Sequence, residues 1–135
     1  MDPLSLLASI AGVATAGIQI SKTIYGLIST IHGTPKEVSD IARQVSDLSI
    51  VLSELRRALK EGTKLYRRKL LRRVSSAIRR IGRIHAQIHE MIAGVDGVVS
   101  LKWLFRRSKA MHLLYQIESH KNGINIILHI RTLAV

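Results

Sequence analysis

Two histidines, His85 and His89, stand four residues apart, a spacing that lets both imidazoles reach one metal ion from a single helix face. No third ligand is signalled beside them, and His85 falls in line with Leu71, Ile78 and Ile92. The pair therefore reads as structural, with no metal and no cofactor expected. His32, His112, His120 and His129 are scattered along the chain. Glu118 and Lys121, three apart, read as a helix-face ion pair worth roughly 0.2–0.5 kcal/mol. Cysteine is absent, which excludes a disulfide framework and any thiolate metal site. There is no carboxylate pair, nucleophile elbow, phosphate loop or Ser-His-Asp arrangement, so no enzyme is expected. What remains able to act is charge: 21 Lys and Arg against 9 Asp and Glu, a net +12.

That charge has an address. Residues 1–35 hold one acid (Asp2) and one base (Lys22), and residues 36–61 hold five of each. Residues 62–135 hold 15 bases against Glu90, Asp96 and Glu118, so the whole excess lies there. On a helical projection Leu70, Leu71, Val74, Ile78 and Ile81 take one side. Lys69, Arg72, Arg73, Arg79, Arg80 and Arg83 take the other. Nine bases and no acid lie between Gly62 and His89, and like charges at such spacings repel unless a partner supplies anions. Lys102, Arg106, Arg107 and Lys109 form a second cluster around Trp103 and Phe105, whose rings read as core or headgroup-level anchors. Nucleic acid is disfavoured as the partner: no helix-turn-helix, zinc finger, RNP or KH signature is present, and aromatics are only 4% of the chain. An anionic phospholipid membrane fits, at about 1 kcal/mol for each Lys or Arg near the headgroups.

The front of the chain has the opposite character. Residues 3–21 carry no charged side chain, close to the ~20 residues that cross a bilayer core. The polar side of this segment is Ser5, Ser9, Thr15, Gln19 and Thr23, all neutral, and Ala8, Gly12 and Ala16 form a ridge of small residues. At rest this helix is expected in the centre of the fold; without charge on any side it can also be exchanged into lipid. A secretory leader is set aside because Asp2 stands where a basic n-region belongs, although Ala14-Thr15-Ala16 resembles a cleavage site. A constitutive anchor is set aside because Gly, Ser and Thr keep the segment weakly hydrophobic.

The elements that must position these groups are helical. Apolar steps of three and four predict helices over about 3–32, 35–61, 63–93 and 100–133. Asp2-Pro3 reads as a cap and first turn, and Gly33-Thr34-Pro35 as a break, with Thr34 and Glu37 at capping-box spacing. Gly62 and Gly94-Val95-Asp96-Gly97 end the second and third helices, and Ser100 caps the C-terminal helical stretch. Asn122-Gly123 predicts a kink or division in the last helix. Four such stripes can bury themselves only against one another, so the fold class is all-α: one domain, residues 1–135, a bundle of four to five antiparallel helices.

With these residues in view a resemblance emerges. Met1-Asp2-Pro3-Leu4-Ser5 leading into an Ala/Gly/Ile-rich helix resembles the HeLo-like N-terminal domains of fungal STAND proteins, the NLR-like receptors. So does the order Leu101-Lys102-Trp103-Leu104-Phe105-Arg106-Arg107, then Ile117-Glu118-Ser119-His120-Lys121. The resemblance implies a domain of fungal innate immunity and heterokaryon incompatibility that executes programmed cell death by pore formation. It implies distant similarity to the four-helix domain of the necroptosis pseudokinase. Leu4, Leu6, Leu7, Ile10, Val13 and Ile18 would be the membrane-inserting residues, with Lys69, Arg72, Arg73, Arg79, Arg80 and Arg83 binding anionic lipid. It further implies a cytoplasmic resting state, a plasma-membrane active state, homo-oligomerisation on activation and a nucleotide-binding domain downstream. The alternative is a non-lytic helical interaction and oligomerisation module of the same receptor type.

Overall fold

The computed structural model describes residues 3–30, 36–62, 68–93 and 107–134, and all of them are helical. The helices are α1 (Pro3–Thr30), α2 (Lys36–Gly62), α3 (Arg68–Ala93) and α4 (Arg107–Ala134). Pro3 opens α1, where its missing N–H costs no hydrogen bond. Asp2, Gly33-Thr34-Pro35, the segment from Gly94 to Gly97, Ser100, Lys102, Trp103, Phe105 and Arg106 lie outside the described residues, as do the side chains of Glu37, Ile92, Arg107 and Lys109. α4 runs through Asn122-Gly123 as one helix, so the division expected there does not occur. Both residues are exposed, and the flanking Ile117 and Ile124 are buried and hold the helix to the core on either side.

The four helices form a bundle around one core, and its order is set by the apolar stripes. α2 has the most regular stripe: Val38, Ile41, Val45, Leu48, Leu52, Leu55 and Leu59 are all buried. It packs on α1 and on α4, and its seam with α1 is the most extensive in the bundle. α3 packs on α1 and more lightly on α4. Gly17 meets Ser49 while Ser21 bonds to Ala42, so α1 and α2 run antiparallel. Gly82 faces Val13 and His85 faces Gly17, so α1 and α3 run side by side in the same direction.

The expected central position of α1 is corrected by this arrangement. Leu6, Leu7, Ile10, Ala14, Ile20 and Ile24 are buried against α2 and α3, but Ser5, Ala8, Gly12, Thr15, Ala16 and Gln19 face outward. Among the described residues no third helix packs substantially on α1, which keeps one side open.

Candidate functional site

From Leu4 to Ser29, α1 is long and apolar enough to cross a membrane by length and composition, and only a third of its apolar window is buried. Of the sequence-assigned inserting residues, Leu6, Leu7 and Ile10 are buried, Val13 is half-buried, and Leu4 and Ile18 are 78% and 41% exposed. The helix also satisfies hydroxyls on its open side by itself. Ser9 Oγ donates to the Ser5 carbonyl at 3.0 Å and Thr23 Oγ1 to the Gln19 carbonyl at 2.9 Å. A hydroxyl already bonded within its own helix loses little when water is removed. The side chain that ties α1 down is Ser21, buried, with Oγ donating to the Ala42 carbonyl of α2 at 2.7 Å.

α3 divides cleanly. Val74, Ile78, Ile81, Ile84 and Ile88 are buried, while Lys69, Arg72, Arg73, Arg79, Arg80 and Arg83 are all exposed. The structure thus brings the six basic residues onto one solvent face. Its first turn carries Arg68 and Lys69 and no acid, so cations crowd the positive end of the helix dipole. Arg80 also reaches the next helix electrostatically: burial first, then this guanidinium, push His120 of α4 below the usual histidine range. Lys121 does not pair with Glu118 as expected; its Nζ donates to Gln44 Oε1 of α2 at 3.0 Å. The cross-helix partner wins because Lys121 is half-buried toward α2, whereas Glu118 points to solvent.

Where α1, α2 and α3 meet, three small or polar residues replace the branched aliphatics of the surrounding core. Gly17 lies so close to its neighbours that an added Cβ would overlap Ser49 Oγ and stand 3.0 Å from His85 Cε1. Among the described residues, Ser49 Oγ and both His85 ring nitrogens are buried without a hydrogen-bond partner. His85 is 3% exposed, and burial lowers its pKa to about 4, so the imidazole is neutral at pH 7; the Val13 carbonyl opposes the shift without reaching hydrogen-bond geometry. This junction is not apparent from the sequence alone. The available signal is Gly17 at a stripe position otherwise filled by Leu, Ile and Val.

Beside the junction a groove of about 620 Å³ opens between α1 and α3, lined by Val13, Ala16 and Ile20 on one wall and Gly82, Ala86 and His89 on the other, with His85 within it. His89 is exposed while His85 is buried, and among the described residues no His, Asp or Glu completes a metal-ligand set with them.

Residues 1–98 match the family model described as pigment biosynthesis cluster protein PigL N-terminal. No curated protein and no solved structure matches the chain.

Proposed function

The chain belongs to the PigL N-terminal family, a fungal N-terminal family, and from that premise we propose that it is a membrane-targeting, membrane-permeabilising cell-death effector domain. The finer assignment is the HeLo-like type found at the front of fungal NLR-like receptors, cytoplasmic at rest and acting at the plasma membrane. The observation that carries this reading is the contrast between α1, spanning-length and only a third buried, and α3, with seven exposed cations on one face. The basic face docks on anionic phospholipid. Oligomerisation, driven in such receptors by a downstream nucleotide-binding domain, then releases α1, and the released helices breach the bilayer together. No catalytic step is involved.

Docking is electrostatic and weakens with salt, since the attraction decays over a Debye length of about 8–10 Å; insertion of α1 is apolar and weakens much less. Dye release from vesicles tests the proposal. Anionic vesicles should leak and neutral ones should not. Deletion of residues 2–20 should abolish leakage. Reversal of Arg72, Arg73, Arg79 and Arg80 to Glu should lower vesicle affinity by roughly three orders of magnitude, at about 1 kcal/mol for each of the four lost cations.

The second reading is a non-lytic interaction and oligomerisation module. It draws on Met111, Tyr115 and Ile126, large apolar side chains exposed on α4. Specific oligomers that leave anionic vesicles intact would establish it in place of the first.

A further inference from the structure

We propose that α3 is held by an acid-operated latch: protonation of His85, at its seam with α1, and of His120, at its seam with α4, lets α3 come away from the bundle while α1, α2 and α4 stay packed together. The latch belongs to the free chain and stands whether or not the protein permeabilises membranes.

The packing singles out α3. Among the described residues both seams made by α2, with α1 and with α4, are more extensive than either seam that holds α3. The α1–α3 seam is also incompletely filled. Ala16, Gly82 and Ala86 are small where the two helices face each other, and a groove of about 620 Å³ runs beside them. Segments held by few packed contacts open at a lower free energy than the whole fold. Once off the bundle, α3 loses the tertiary packing from which a helix draws most of its stability, and the cations of its first turn oppose the helix dipole.

Each of these two seams carries a histidine whose surroundings oppose its charge. His85 is buried at the meeting point of three helices, and neither ring nitrogen has a partner among the described residues. An imidazolium donates from both nitrogens, so charging the ring there buries a cation with no anion beside it. α1 presents Val13 and Gly17 to it and α2 presents Ser49, none of them titratable. The nearest charged residues along those helices are Lys22, exposed, and Asp47, half-buried; along α3 itself Arg83, His89 and Glu90 are exposed. The Val13 carbonyl favours the charged ring, but burial outweighs it and lowers the pKa of His85 to about 4.

His120 is half-buried on α4 and faces Arg80 of α3; burial first, then that guanidinium, lowers its pKa. From α2, Asp40 and Asp47 share the Gln44 side by helical spacing. Asp40 is paired with Arg43 at 3.3 Å, and Gln44 accepts a hydrogen bond from Lys121. Glu118, near His120 on α4, is exposed. Departure of α3 returns both rings to water and parts His120 from Arg80. The opened state therefore binds the extra protons, and acid favours opening.

Amide hydrogen exchange of the whole chain, without vesicles and at low urea, tests the latch. After correction for intrinsic exchange, the slowest α3 amides should open with a smaller urea slope than the slowest α2 amides. Between about pH 7.5 and about pH 5 the α3 opening constant should rise roughly thirtyfold from His85 alone, the ratio set by a pKa of about 4 when closed and 6.5 when open. His85→Gln should remove most of that rise, and His120→Gln a smaller part. Histidine ¹⁵N shifts of the unsubstituted chain give a reading that does not depend on either variant folding, with His85 titrating near 4. Any of four results overturns the proposal: equal urea slopes for α3 and α2, an α3 opening constant unchanged by acid, an acid response that survives in the double variant, or His85 titrating near 6.5 in the folded chain.

Discussion

α1 and α3 lie side by side, run in the same direction and share His85 and Gly82 as contacts, yet they meet solvent on opposite terms. α3 is sharply two-sided, with isoleucines inward and arginines outward, so its place in the bundle is fixed by both faces. α1 has an inward face of comparable quality, Leu6, Ile10, Ile20 and Ile24, but an outward face of Ala, Gly, Ser and Thr with Lys22 as its charge. Moving α3 into lipid would strand seven cations, Arg68 among them. Moving α1 exposes hydroxyls that are largely bonded within their own helix. The lesson is that a helix can pack like a core element and still be chemically free to leave.

The largest effect separating the two helices comes from charge. Ile10→Asp puts a carboxylate at a position with no solvent exposure and should destabilise the fold by about 4 kcal/mol or more, whereas Arg72→Glu on the open face of α3 should cost within about 0.5 kcal/mol. Urea unfolding of both variants checks the pair. Equal losses would mean that the two helices are not partitioned as described.

Acid should act next. The folded state holds His85 neutral with a pKa of about 4, while the unfolded chain protonates it near 6.5. Unfolded molecules therefore bind the extra proton, and stability is full above pH 6.5 and falls progressively toward pH 4. The loss is about 3 kcal/mol from this residue. His85→Gln should flatten that part of the profile in thermal melts taken across the range.

The smallest effects come from two glycines on the α1–α3 seam. Gly17→Ala should destabilise by about 1–2 kcal/mol because the new methyl group collides with Ser49 and His85. Gly82→Ala should stabilise by roughly 0.5–1 kcal/mol, since its Cβ would meet only Val13 Cγ2 at an ordinary 3.9 Å and the helix gains propensity. Thermal melts of the two single variants should move in opposite directions.

Much of this architecture is legible in the chain. The three-and-four steps of Val38 through Leu59 lead directly to a buried α2, and the opposed arginines of α3 fall where a helical projection puts them. The rest is not local. Asn122-Gly123 carries a turn signal that anchoring at Ile117 and Ile124 overrides. How deeply each helix is buried depends on which stripes meet: hydrophobicity alone ranks α1 first, although the α2 stripe is fully buried and only a third of the apolar window of α1 is. The Gly17–Ser49–His85 junction joins residues from three helices, so no window of sequence contains it.

Release of α1 is the central claim, and a removable tether tests it most directly. Ser21 Oγ reaches the Ala42 carbonyl at 2.7 Å, and the chain has no cysteine of its own. Ser21→Cys with Ala42→Cys therefore offers one possible disulfide, closing α1 onto α2. The account predicts that the oxidised protein docks on anionic vesicles without leakage and that reduction restores dye release. Equal leakage with the bond closed would contradict it.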